Sequence, residues 1–212
     1  MTEINQSQYN KLYTNNFIEL KELNVNINLF EKQIFEIQHL FKNWGEKHLD
    51  IMFRKGIALV NNTGIIHNEI EPCIYPLDKW NEKYNVKYCD NDFTIPTEIL
   101  ELSCFNGLEI IKPYMIRSAI LWWKKGSFFF PHKDTGIPTK SLRIWGTNKP
   151  EKYIFDFLDG TNHKNPVIKA GKLYLTDTTK MHYAEALDDD VYTFFIALDA
   201  SAYNLLMNLK NV

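Results

Sequence analysis

Cysteine is scarce. The three residues, Cys73, Cys89 and Cys104, are odd in number and far apart, which excludes a disulfide framework and a CxxC zinc knuckle and reads as buried free thiols. Long hydrophobic runs are missing as well. No stretch approaches the ~18–20 consecutive apolar residues of a spanning helix, and the first 30 residues lack the apolar core of a signal peptide. A soluble, cytoplasmic protein is expected. A surplus of basic residues is absent too: 24 Lys and Arg stand against 26 Asp and Glu, for a net charge of −2. That removes the strongest argument for binding nucleic acid or an acidic membrane. There is no internal repeat, low-complexity tract or Pro/Gly/Ser linker, so residues 1–212 are expected to form a single domain. The frequent Asn, Lys and Ile suggest an AT-rich genome, such as that of a phage or virus.

What is present in excess is aromatic. Fourteen Phe, 11 Tyr and 5 Trp make up 14% of the chain, and such residues favour strands and large interior surfaces. The N-terminal part reads as a helical layer. Residues 17–27 are extended, and Leu29, Phe30, Ile34, Ile37, Leu40 and Phe41 then recur at helical spacing, with Gly45 near the expected end. Ile57 to Val60 is an apolar strand closed by an Asn-Asn-Thr-Gly turn. Residues 68–96 show no clean period and read as loop, and Thr97 to Leu102 reads as a capped helix stopping near Gly107. Beyond residue 110 the pattern is strand after strand: 116–123, 141–145, 153–158, 172–176 and 191–198, separated by Gly, Pro, Asn or Asp turns. Residues 201–209 read as a short helix. The fold expected is mainly β, a sandwich or barrel under a helical N-terminal layer.

Four of the six histidines, His39, His48, His67 and His163, lack partners at a useful spacing and read as surface or packing residues. His132 differs because of Asp134. Side chains two apart on an extended segment point the same way, so both can meet one metal ion. His182 follows the strand 172–176 and can supply a third ligand. Two imidazoles and a carboxylate on one face of an octahedron leave three positions open, the facial arrangement of non-heme Fe(II) oxygenases.

The order Pro131-His132-x-Asp134, Leu142-Arg143-Ile144-Trp145-Gly146, Tyr153-x-Phe155-x-Phe157, Gly171-x-Leu173-Tyr174 and His182 resembles the Fe(II)/2-oxoglutarate-dependent dioxygenases, and most closely their aspartyl/asparaginyl β-hydroxylase-like and phage-type branch. With Gly56 to Asn61 and Asp92 to Glu98 included, the resemblance covers roughly residues 50–200. It implies a double-stranded β-helix (jelly roll, cupin-like), with the core β-helix at about 110–200. It implies Fe(II) held by His132, Asp134 and His182, with 2-oxoglutarate and O2 as co-substrates. It also implies hydroxylation of an unactivated C–H bond, with succinate and CO2 as co-products. The carboxylate of Asp134 stands where related halogenases have Gly or Ala, which argues for hydroxylation.

The chain departs from this family where relatives keep an Arg or Lys, about ten residues past the distal His, for the C5 carboxylate of 2-oxoglutarate. No cation occurs between Lys180 and Lys210. Arg143 is the leading replacement, for the co-substrate or for a carboxylate on the substrate. Tyr192 or Thr193 can donate a hydrogen bond from the usual position, and Trp145 stands where the branch often has a His that touches 2-oxoglutarate. Lys140 and Trp123 are further candidates to face the substrate, for which an amino acid or peptidyl side chain is favoured. Two other readings remain open: a cupin-like dioxygenase or isomerase using the same ligands without 2-oxoglutarate, and a non-catalytic jelly-roll binding protein.

Overall fold

A computed structural model describes residues 3–44, 53–134, 141–158 and 167–210. Helix α1 (Gln6–Leu12) leads into strand β1 (Phe17–Asn24) and helix α2 (Ile27–Ile37). The α2 start is set by Asn26, whose side chain accepts a hydrogen bond from the Leu29 amide at 3.2 Å, a standard way to satisfy an orphan donor at a helix N-terminus. Strands β2 (Lys42–Asn43) and β3 (Arg54–Asn61), helix α3 (Leu77–Tyr84) and strand β4 (Ile95–Pro96) follow. The main β region comprises β5 (Met115–Trp123), β6 (Phe128–His132), β7 (Ser141–Thr147), β8 (Tyr153–Phe157), β9 (Lys172–Thr176), β10 (His182–Ala186) and β11 (Val191–Asp199), and helix α4 (Tyr203–Leu209) closes it.

Successive strands of this region alternate between two sheets. β5, β7, β9 and β11 belong to a large antiparallel sheet of order β1-β9-β7-β11-β5-β3-β2, while β6, β8 and β10 form a small sheet of order β6-β10-β8. That alternation is the winding of a double-stranded β-helix. Side chains divide accordingly between the two faces of the large sheet. Ile57, Leu59, Ile120, Leu142, Ile144, Leu173, Leu175 and Phe194 point outward into a core shared with Phe30 and Ile34 of α2 and Leu206 and Leu209 of α4. Ala58, Ala119, Leu121, Trp123, Trp145 and Tyr174 point inward, toward the small sheet. No helix among the described residues is long and apolar enough to cross a membrane.

Two segments depart from the sequence reading. Residues 68–96 contain α3 and two short 3-10 turns, at Pro72–Ile74 and Asp90–Asp92. The helix escapes a periodicity search because it buries no residue fully. Thr97 caps no helix: its hydroxyl donates to the Ala58 carbonyl at 2.8 Å, and the chain proceeds through turns into a 3-10 segment at Ser103–Leu108. Gly45 lies outside the described residues. Of the thiols, Cys73 and Cys104 are buried, but Cys89 is exposed.

Gly171 is fixed by close approach. Its φ is +72°, and a Cβ there would lie 2.3 Å from the Val25 carbonyl oxygen. Gly171→Ala is expected to cost about 2–3 kcal/mol, read as a lowered urea midpoint with an unchanged slope.

Candidate functional site

The two sheets enclose a cavity of about 680 Å³, and its polar lining is placed by strand register. His182 at the start of β10 pairs with His132 at the end of β6, which brings the imidazoles to a centroid separation of 4.2 Å. Asp134 lies just past β6, where its amide donates to the Thr178 carbonyl at 2.9 Å, and its Oδ1 is 3.6 Å from His132 Nε2. One donor atom from each of His132, Asp134 and His182 falls within 4.8 Å of the others.

Hydrogen bonding sets the tautomers. His132 Nδ1 is 2.8 Å from the Phe130 carbonyl and His182 Nδ1 is 2.9 Å from the Lys180 carbonyl. A carbonyl can only accept, so each Nδ1 carries a proton, and Nε2 is the nitrogen left to bind a metal. Burial, and then the nearby His182, push the His132 imidazole below its ordinary range. Phe129 packs on His132 at 4.0 Å, and Phe155 and Phe157 flank His182 at 5.3 and 5.9 Å. The donor set therefore sits in a wall of rings that limits water.

The loop that delivers His182 is tied to the N-terminal segment. Tyr9 Oη donates to Asp177, and Lys180 Nζ donates to Asn16 Oδ1 at 2.9 Å. Burial and the Asp177 carboxylate push the Tyr9 phenol up to about 12.

Other sequence candidates are distributed by strand alternation. Thr193 and Trp145 line the cavity, as do Trp123 and Arg143. Trp123 Nε1 donates to Thr193 Oγ1 at 2.9 Å, and Trp145 stacks on Tyr153 at 5.9 Å. Tyr192 is a correction. One residue from Thr193 on β11, it points to the opposite face, where its hydroxyl accepts from Gln38 Nε2 at 2.8 Å and its ring packs on Phe30 and Trp122. It cannot contact a ligand in the cavity. Lys140 lies outside the described residues.

Arg143 is 3% exposed, and its Nη2 donates to Asp90 Oδ2 at 2.6 Å. Asp90 also accepts from Arg117 Nη1 at 3.3 Å. Burial alone would raise the Asp90 carboxyl, but the charges and hydrogen bonds of Arg143 and Arg117 outweigh it and hold the group below the ordinary carboxylate range.

Arg54, Asp90 and Ser141 were not singled out from sequence. A signal existed for Arg54: with Gly56 and Ala58 it occupies alternate positions of β3, and the two small residues leave room on the inward face for one long side chain. Its guanidinium lies over Phe129, Trp44 and Trp123 at 4.1, 5.0 and 5.3 Å. Burial pushes it down to about 10, so it remains a cation at neutral pH. Among the described residues, the buried side-chain atoms without a hydrogen-bond partner are Arg54 Nε, Ser141 Oγ, Arg143 Nε and Arg143 Nη1, and all belong to residues lining this one cavity. Buried donors left unpaired are costly. Their opening onto one cavity suits acceptor-rich, anionic ligands.

No protein-family model matches the chain, and no curated protein matches it. The solved structures similar to it include two enzymes. One is the non-heme alpha ketoglutarate dependent epimerase SnoN from nogalamycin biosynthesis, with a TM-score of 0.48 and 10% identity, covering 92% of this chain and 80% of that one. The other is a prolyl hydroxylase from Trichoplax adhaerens in complex with a hypoxia inducible factor oxygen degradation domain peptide fragment. Its TM-score is 0.49 with 13% identity, covering 93% of this chain and 90% of that one. At these identities the likeness is one of chain path.

Proposed function

We propose that the protein is a non-heme Fe(II)- and 2-oxoglutarate-dependent oxygenase of the aspartyl/asparaginyl β-hydroxylase-like type. Its substrate would be an amino acid, a peptidyl side chain or a related carboxylate-bearing small molecule. The observation that carries the reading is the meeting of His132, Asp134 and His182 donor atoms within 4.8 Å, in a cavity whose unpaired donors suit carboxylates. The donor chemistry fits the metal: two neutral imidazoles with free Nε2 and one carboxylate are the facial set of non-heme Fe(II) sites.

Bound Fe(II) with 2-oxoglutarate and O2 would supply the oxidising power, one oxygen atom entering the substrate as hydroxyl and the other entering succinate as CO2 leaves. The chain's own residues do the rest. The Phe130 and Lys180 carbonyls orient the two imidazoles, as outer-shell partners of metal-bound histidines commonly do. The Thr178 carbonyl fixes the backbone of Asp134. Phe129, Phe155 and Phe157 exclude water from the reacting centre. Arg143, held by Asp90, offers its remaining N–H groups to a carboxylate.

The test is an anaerobic titration. Protein given Fe(II) and then 2-oxoglutarate is expected to develop a weak visible charge-transfer band that saturates at one equivalent of co-substrate per chain. Stoichiometric Fe(II) binding with no band on adding 2-oxoglutarate would sink the 2-oxoglutarate assignment and leave the metal site standing.

A further inference from the structure

Arg54, Arg117 and Arg143 line the cavity; Arg117 and Arg143 share Asp90, and register sets Arg54 and Arg143 at opposite ends. Arg54 on β3 pairs with Trp123 on β5, which pairs with Val191 on β11. Arg143 on β7 pairs with Ala197, further along the same strand. At ~3.4 Å per residue the two rows are about 20 Å apart along the backbone.

Their surroundings differ in charge. Arg143 is already neutralised in part by Asp90 at 2.6 Å. Arg54 has rings for nearest neighbours and feels the Tyr153 and Asp134 groups only through space; it is 9% exposed and leaves Nε unpaired. A single phenyl ring separates it from the metal cluster, because Phe129 lies 4.1 Å from the Arg54 guanidinium and 4.0 Å from the His132 ring. The Arg54 end of the cavity also holds hydroxyl groups. Thr193, on the strand where no cation follows His182, meets Trp123 Nε1 there. Tyr153 packs on Trp123 at 5.2 Å, and burial holds its phenol well above its ordinary range despite the Arg54 charge, so it stays a neutral donor.

We propose that Arg54 anchors the distal (C5) carboxylate of 2-oxoglutarate, a cation supplied from β3 in place of the missing one on β11. Arg143, at the far end, is thereby left for a carboxylate of the substrate. This rests on the function proposed above. An anion beside Arg54 gains a cation that makes no ion pair with Asp90 and pairs its orphan Nε; the planar fork suits a carboxylate, and burial strengthens the pairing.

The experiment compares two co-substrate probes on Fe(II)-loaded protein without oxygen, 2-oxoglutarate and 2-oxobutyrate, the second lacking the distal carboxylate. Arg54→Gln is expected to raise the Kd for 2-oxoglutarate about tenfold or more, while 2-oxobutyrate and Fe(II) bind within about twofold of the original protein. Arg143→Gln is expected to leave the 2-oxoglutarate Kd unchanged. The proposal is overturned if Arg54→Gln leaves that Kd unchanged, if it weakens both probes alike, or if Arg143→Gln weakens 2-oxoglutarate as much. Should Arg54→Gln not fold, Arg54→Lys decides, since it keeps charge and stem but loses the fork: selective weakening of 2-oxoglutarate supports the anchor, and equal effects on both probes refute it. Failure of the unaltered protein to bind 2-oxoglutarate at all, with Fe(II) bound, removes the function itself and is distinguishable from failure of Arg54 alone.

Discussion

His132→Ala is expected to weaken Fe(II) binding by more than about 100-fold and to abolish the visible band with 2-oxoglutarate, because loss of an outer-shell partner alone costs about 10–100-fold. The loss is specific to the metal. The His132 side chain is 26% exposed, so the metal-free protein should keep its stability within about 1 kcal/mol, and it escapes the crowding of two imidazoles at 4.2 Å. Metal titration and a thermal melt of the metal-free protein together check the claim. Unchanged Fe(II) affinity would return His132 to a packing role; a collapsed melting temperature would make it a structural residue.

Asp90→Ala should cost about 3–5 kcal/mol of stability, the usual penalty for leaving buried charge uncompensated. The Arg143 side chain is 4% exposed and Asp90 is 14% exposed, so the stranded guanidinium would face only the cavity. Arg117 loses the same partner. A double variant, Asp90→Ala with Arg143→Met, should recover much of the loss, because it removes the stranded guanidinium as well. Urea denaturation at neutral pH measures both. The sign with pH follows from the carboxyl held below its ordinary range: the stabilisation is fully present above the unfolded value, about 4, and is lost as pH falls through the lower folded one. The gap between the two proteins should therefore close in acid. A loss under about 1 kcal/mol at neutral pH would show that Arg143 does not depend on Asp90.

The meeting of His132, Asp134 and His182 was legible because its logic is partly local. His132 and Asp134 are two residues apart on extended chain, and strand chemistry on both sides of His182 was written in Val, Ile, Tyr and Phe between turn residues. The five strands read from sequence beyond residue 110 correspond to β5, β7, β8, β9 and β11. β6 and β10 were seen only as segments carrying ligands, since neither alternates cleanly: Phe128, Phe129 and Phe130 all read as apolar, and His182 begins its strand. Arg54 and Asp90 were hidden for another reason. Their roles depend on partners made by register or by loop packing, Trp123 for one and Arg143 and Arg117 for the other; spacing along the chain encodes the room that Gly56 and Ala58 leave for Arg54 but not such meetings. Tyr192 and Thr193 show how narrow the margin is, since adjacent residues on one strand face a ligand cavity and a hydrocarbon core.

The Tyr9–Asp177 hydrogen bond spans 168 residues of sequence, and the bond from Lys180 to Asn16 spans 164. During synthesis the N-terminal helix emerges long before the loop it must hold. The candidate ligands themselves come from the end of β6, the residues just past it and β10, with all of β7, β8 and β9 translated in between. Such non-local closure slows folding, because loop entropy is lost before contacts repay it. A metal bound by His132, Asp134 and His182 would therefore not nucleate this fold in the way zinc organises a small finger. It would have to arrive at a nearly finished protein, making loading and folding separate events.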